Sequence, residues 1–342
     1  MLPVRADSRP ATAVLVALVV GSWFVLATPV YAGDRPKIPS SEAFVVSDPE
    51  IGEASGMVAS QLHKGVVYIV EDSKNGAYVY AVGPDGQTAA TYKLADARNV
   101  DWEAMAPGTD GAGNPTLVIG DIGDNDSRRE SIRLYTVDEP AELVDGELRW
   151  TKVDLTYPDR PHNAEALLRN PDTGQLFVVT KEALGAGVYA APVEMPPGGT
   201  YELTRVGDVP MFVTDGAISP DGSMTVLRTY GFAVVTDGPG GDELARYPLP
   251  PSPQGETLAF TPDGSAVLVG SEGVSQPVYR VELPHTATAS PSTSTGSTST
   301  YPTQTQLASS DGSTGRALAL GLGAIVVVSL FAGAVLATRR KD

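Results

Sequence analysis

The chain has 342 residues, with 24 Lys and Arg against 41 Asp and Glu, and it contains no cysteine. A formal charge of −17 argues against nucleic acid or anionic lipid as partner and favours cations or basic ligands. Without cysteine there is no disulfide, no thiol catalysis and no thiolate zinc site.

Residues 1–32 read as a secretory signal peptide: Arg5 and Arg9 precede an apolar run from Ala11 to Ala27, and Val30-Tyr-Ala32 offers a small-residue cleavage site. The expected folded domain is 33–285. It holds 18 of the basic and 38 of the acidic residues, a net charge of −20, and is long enough to bury a large core. Residues 286–315 are dominated by Ser, Thr, Ala, Pro, Gly and Gln and read as a disordered stalk. Residues 316–338 read as a transmembrane helix, because Ala317–Thr338 carries no charge over 22 residues. Arg339-Arg-Lys341, in the short tail 339–342, places that end in the cytoplasm. The expectation is a single-pass cell-membrane protein whose folded domain is extracellular.

Within the domain, short runs of Val, Ile, Leu, Thr and Tyr alternate with Pro, Asp and Gly turns, which is an all-β pattern. The first unit reads as strands over 53–59, 66–71, 77–82 and 88–94, and the second over 100–106, 116–121, 132–137 and 148–156. The third takes 164–169, 175–180, 187–191 and 201–206, and the fourth 215–219, 224–228, 233–236 and 243–247. The fifth has only 256–260, 266–270 and 278–283, while 42–46 is a spare strand before the first unit. These counts reconcile if the N-terminal strand completes the last sheet, as in a closed β-propeller. Five blades are predicted, with six as the alternative if the longer second unit hides another. Asn170-Pro-Asp-Thr-Gly174, Ser219-Pro-Asp-Gly222 and Thr261-Pro-Asp-Gly264 sit at one place in units three to five, with Pro for the turn entry and Gly for positive φ.

Each unit starts on an acid: Glu53, Glu103, Glu165, Asp215 and Glu256, separated by 50, 62, 50 and 41 residues. Because first strands line a propeller channel, these five should converge on one mouth. Their mutual repulsion calls for protonation, water or a cation, and oxygen-only donors suit calcium. Asp101 and Asp121 join them as candidate ligands, Asp121 ending the strand next to that of Glu103. The loop Gly120-Asp-Ile-Gly-Asp-Asn-Asp126 is the densest local set of oxygens, with an Asx-rich turn as its plain alternative. Candidate catalytic groups are Glu103 and His162, the latter three residues before Glu165. Arg98, Arg128, Arg129, Arg160, Lys181 and Arg228 lie near strand ends, where they could meet an anion. Trp102 points away from its acidic neighbours, into packing between blades.

Glu53-Ala-Ser-Gly56, Asp101-Trp-Glu-Ala104, Gly120-Asp-Ile-Gly-Asp-Asn125, Asn163-Ala-Glu-Ala166 and Gly255-Glu-Thr-Leu258 resemble secreted bacterial propellers of the SdiA-regulated family and those labelled esterase-like activity of phytase. The resemblance spans about residues 44–284. It implies a propeller with calcium near its axis, carried by Glu53, Glu103, Glu165 and Glu256. Asp215-Gly departs from the expected Glu. Two functions follow as expectations. One is a membrane-anchored, calcium-binding module for a small-molecule or surface ligand; the alternative is a metal-dependent hydrolase of phosphoesters or lactones.

Overall fold

The computed structural model describes residues 38–72, 76–182, 185–209 and 212–284. The expected signal peptide, stalk, membrane helix and tail lie outside these residues. Among the described residues no helix is long and apolar enough to cross a membrane.

The strands run in chain order: β1 (Ser40–Val45), then β2 (Ala54–Ala59), β3 (Val67–Glu71), β4 (Tyr78–Val82) and β5 (Thr88–Leu94) in the first blade. The second blade's segment carries β6 (Trp102–Thr109), β7 (Pro115–Asp121), β8 (Ile132–Asp138), β9 (Gly146–Leu148) and β10 (Trp150–Thr156). Next come β11 (Ala164–Arg169), β12 (Leu176–Thr180), β13 (Gly187–Ala190), β14 (Thr200–Glu202) and β15 (Thr204–Asp208). The fourth blade has β16 (Val213–Ile218), β17 (Thr225–Thr229), β18 (Phe232–Thr236) and β19 (Glu243–Pro248). The fifth has β20 (Thr257–Phe260), β21 (Val267–Gly270) and β22 (Pro277–Val281).

These strands form five sheets, antiparallel except for one parallel edge strand in each of the first two, and the inner strands neighbour one another in the cycle β2, β6, β11, β16, β20 and back to β2. Five blades therefore close the ring, and the six-bladed alternative falls because the long second unit spends its extra length on edges. The fifth sheet takes its outer strand from the N-terminus, β1 pairing antiparallel with β22. That pairing closes the circle without a covalent link and leaves β22 no open edge.

The spans 148–156 and 201–206, expected as single strands, each divide in two. β9 leaves its own blade to pair parallel with β5, and β14 pairs parallel with β10. Each thus covers the outer edge of the preceding blade. Thr91 N–H donates to Asp145 (2.8 Å) and the Trp150 indole to the Ala95 carbonyl (2.8 Å), fixing the first crossing.

Apolar alternation on both faces of each sheet produces five cores, one between each pair of neighbouring blades. Trp102, fully buried, lies between the first two blades with its ring 5.7 Å from that of Tyr135, as its placement between two acids foretells. Phe44 and Val46, flanking the end of β1, bury against Ile51 and Met57, so closure is a packing event as well as a hydrogen-bonded one. The turn glycines Gly174, Gly222 and Gly264 have φ of 74°, 71° and 69°, the left-handed conformation their turns demand. Among the described residues every strand lies between Ser40 and Val281.

Candidate functional site

At the start of four inner strands the ladder skips one residue: Ser55 in β2, Glu103 in β6, Glu165 in β11 and Thr214 in β16. A bulge turns its extra residue out of the regular alternation, and here it aims that side chain at the channel. Glu256 holds the same place immediately before β20, one residue ahead of the pair Thr257–Gly270. The axial set is therefore Ser55, Glu103, Glu165, Thr214 and Glu256. Ser55 Oγ donates to the Trp102 carbonyl (2.6 Å) and Thr214 Oγ1 to the Gly255 carbonyl (2.8 Å). Each hydroxyl thus braces the backbone beside the next blade's glutamate.

Of the five acids expected in the ring, three meet. Glu103, Glu165 and Glu256 are each at most 5% exposed, and each offers an oxygen within 4.8 Å of the others. Asp215 lies one residue past the axial position. It is buried, with Oδ1 accepting from Gly216 N–H (2.7 Å) and Oδ2 from Leu258 N–H (2.5 Å), so it ties the fourth blade to the fifth. Glu53 stands two residues before Ser55, half-buried. Asp101 stands two before Glu103 and forms a second cluster with Glu103 and Asp72.

The position two residues before each glutamate decides which one is left alone. In the third and fifth blades it is an amide: Asn163 Nδ2 donates to Glu165 Oε1 (3.0 Å) and Gln254 Nε2 to Glu256 Oε1 (3.1 Å). The second blade has Asp101 there, which supplies no such donor. Among the described residues no hydrogen bond or ion pair reaches Glu103. A carboxylate buried to that degree without a partner is costly.

Asp72, Lys181 and Glu272, all absent from the ligand set read from sequence, complete the mouth. Asp72, Ile122, Lys181 and Tyr230 each stand one residue past the end of the second strand's ladder, and Glu272 stands at the matching place two residues past Gly270, because the fifth ladder stops one pair short. Lys181 Nζ lies 3.1 Å from Glu165 Oε1 and 3.8 Å from Glu256 Oε1. It also sits 5.2 Å from the centre of the Tyr230 ring. Burial opposes its charge, but the Glu165 and Glu256 carboxylates outweigh that and raise its pKa.

One ammonium does not neutralise this many acids. Burial, followed by the like charges of Glu165, Asp101 and Asp72, holds Glu103 well above the usual carboxylate range. Burial and a hydrogen bond donated to Asp72 lift Asp101 to about 7. Glu165 also rises to about 7, through burial and Glu256 against the opposing pull of Lys181. Burial and a hydrogen bond to Glu256 take Glu272 to about 8. The mouth thus stores protons at neutral pH that a cation would displace.

Other expected groups are engaged elsewhere. Asp121 Oδ1 accepts from Asp101 N–H (3.1 Å) and pairs with Arg129 (2.8 Å), while its Oδ2 faces Arg133 (3.5 Å). Its counterpart Glu71 accepts from Gly52 and Glu53 N–H, so both brace the entry to their own inner strand. In the loop 120–126 the acid Asp124 serves the backbone: Asp124 Oδ2 accepts from Arg129 N–H (2.7 Å), and Asp124 N–H holds Asn163 Oδ1 (2.6 Å) in the pose that clips Glu165. His162 is 1% exposed, with Nδ1 2.6 Å from Glu182 Oε1 and Nε2 3.0 Å from Asp159 Oδ1 and 2.9 Å from the Tyr189 hydroxyl. Both ring nitrogens are occupied, so the residue is placed as a structural hub under the third blade's loops. Arg228 is fully buried, donates to the Thr257 carbonyl, and is lowered to about 10 by burial.

No family model matches the chain, and no curated protein matches it. Among solved structures it is similar to a protein from Xanthomonas campestris described as a gluconolactonase important in glucose secondary metabolic pathways. That likeness has 13% identity and a TM-score of 0.39, and covers 73% of this chain and 99% of that one. It is too distant to carry an activity across, so the chemistry of this mouth is read from its own residues.

Proposed function

We propose that the acidic mouth holds one divalent cation of calcium's type, and that the protein is a cell-surface, membrane-anchored propeller which binds an oxyanionic small-molecule or surface ligand there. The observation that carries this reading is the convergence of Glu103, Glu165 and Glu256 from three blades, with Glu103 buried and, among the described residues, reached by no hydrogen bond or ion pair. The donors are all oxygens, which a hard cation prefers, and Asp101 and Asp72 flank Glu103 with two more carboxylates. When bound, such an ion supplies a Lewis-acid centre that can take a ligand oxygen. The apolar runs 11–27 and 317–338 support export and anchoring, and the resemblance to phytase-like propellers supports calcium.

A second reading, hydrolysis of a phosphoester or lactone, is favoured by Lys181 and Asp101. Lys181 places a positive charge beside the trio, where negative charge develops on a reacting oxygen, and Asp101 has a proton to give or take near pH 7. Calcium titration of residues 33–285 by calorimetry tests the first reading. One site is expected, weakened at least tenfold in Glu103→Gln; no binding by the unaltered domain refutes it. A screen of lactones and phosphoesters with calcium present tests the second, which fails if nothing turns over even though calcium binds.

A further inference from the structure

The turn motifs Asn170-Pro-Asp-Thr-Gly174, Ser219-Pro-Asp-Gly222 and Thr261-Pro-Asp-Gly264 play no part in the acidic mouth. They gather at the other end of the channel, where the inner strands finish, and there the walls enclose a cavity of about 330 Å3 lined by all five blades. From Glu165 to Arg169 along β11 the two ends are separated by about 13 Å, at ~3.3 Å per residue. The cavity's size falls within the range of small-molecule sites, roughly 300–1,000 Å3.

Its chemistry is opposite to that of the acidic mouth. Met57, Met105 and Phe260 form apolar wall, and the turn prolines Pro171, Pro220 and Pro262 add rim surface without N–H donors. Methionine side chains adapt to ligands of variable shape. Among the described residues Arg169 is the one charged member of the lining, in a domain whose net charge is −20. One of its terminal nitrogens donates to Thr109 Oγ1 (3.0 Å). Among the described residues no carboxylate pairs with it. Partial burial without a counter-ion lowers its pKa. A guanidinium held at an apolar cavity with donors to spare is arranged to meet an anion, and it does so in a fork that fits two oxygens. The aspartates of the adjoining turns do not fill that role: Asp221 accepts from Ser219 and Ser223, and Asp263 from Thr261 and Ser265.

We propose that this cavity is a second ligand site, separate from the acidic mouth, that takes a small amphipathic anion with its apolar chain among Met57, Met105 and Phe260 and its charged head on Arg169. The site needs no cation and stands whether or not the acidic mouth binds one.

Octanoate is the probe, titrated into residues 33–285 by calorimetry in chelator, beside octylamine and octanol. Saturable binding of octanoate at one site is expected, with octylamine at least tenfold weaker. Arg169→Gln, at a half-exposed position, should weaken octanoate at least tenfold and leave octanol unchanged. Ala217→Phe, which fills the cavity from its partly exposed edge, should weaken all chain-bearing ligands while the melting curve stays intact. Equal affinity for octanoate and octylamine, octanoate binding unaltered by Arg169→Gln, or no octanoate binding at all would each overturn the proposal.

Discussion

Raising the pH in the presence of chelator should destabilise this domain across the range in which most proteins are at their most stable. Glu165 has a carboxyl value of 4.5 when unfolded and about 7 when folded. A raised folded value means the folded state holds the proton more tightly. Its contribution is therefore complete below about pH 4.5 and is lost as the pH climbs through 7. At 1.36 kcal/mol per pH unit the interval amounts to about 3 kcal/mol. Asp101 and Glu272 act in the same direction with windows reaching about 7 and 8, each trimmed by solvent because they are only half-buried. For a domain of this size 3 kcal/mol corresponds to a fall in Tm of roughly 10 °C. Calcium at a hundredfold its Kd returns about 2.7 kcal/mol at pH 8, and less at pH 5, where protons compete for the same oxygens. The assay is scanning calorimetry of residues 33–285 at pH 5, 6.5 and 8, with chelator and with calcium. A metal-free Tm that stays level or rises toward pH 8 would show that these carboxylates ionise like exposed ones, and the account of the mouth would fail. A calcium shift of the same size at pH 5 and pH 8 would fail it equally.

Two further substitutions and a deletion probe how the mouth and the ring are built. Asp101→Asn gives the second blade the amide that Asn163 and Gln254 provide elsewhere; by partnering Glu103 it should raise the metal-free Tm at pH 8 by a few degrees and weaken calcium about tenfold, read by calorimetry. Gly56→Ala would put a methyl 2.8 Å from the backbone carbonyl carbon of Ala104 in the next blade, where neither chain can yield cheaply, so chemical denaturation should show a loss of about 3 kcal/mol. Removing residues 33–47 deletes β1, exposes β22 and strips Phe44 and Val46 from their core; size-exclusion chromatography and circular dichroism should show aggregated or unfolded chain, and a monomer with an unchanged melt would refute closure by that strand.

Much of this architecture is written into the chain at short range. Blade turns announce themselves through Pro-Asp-Gly, and the inner strands through an acid followed by apolar residues, so the blade number and the closing strand follow from local pattern and counting. The long second unit was ambiguous because β9 has ordinary strand composition and, like β14 in the third unit, differs only in which sheet it joins. That choice is made by tertiary contacts such as Thr91 with Asp145, 54 residues apart, and no local preference encodes it.

The mouth was legible in kind and displaced by one residue in detail, and the bulge explains the displacement. Regular alternation carries the acids of blade heads and of second-strand ends to the same face, which made Asp121 look like a ligand, eighteen residues after Glu103. One extra residue in the inner strand breaks that alternation. The face that reaches the mouth is then the following residue, Asp72 in the first blade, Lys181 in the third and Glu272 in the fifth, while Glu71 and Asp121 turn back onto backbone N–H groups. By the same slip Thr214 takes the axial place and Asp215 is driven into the wall between blades. What results is an uneven ring in which two glutamates are clipped by amides and shadowed by a lysine. The third, Glu103, is flanked by further carboxylates, and under the proposed reading this unevenness would direct a cation toward the second blade.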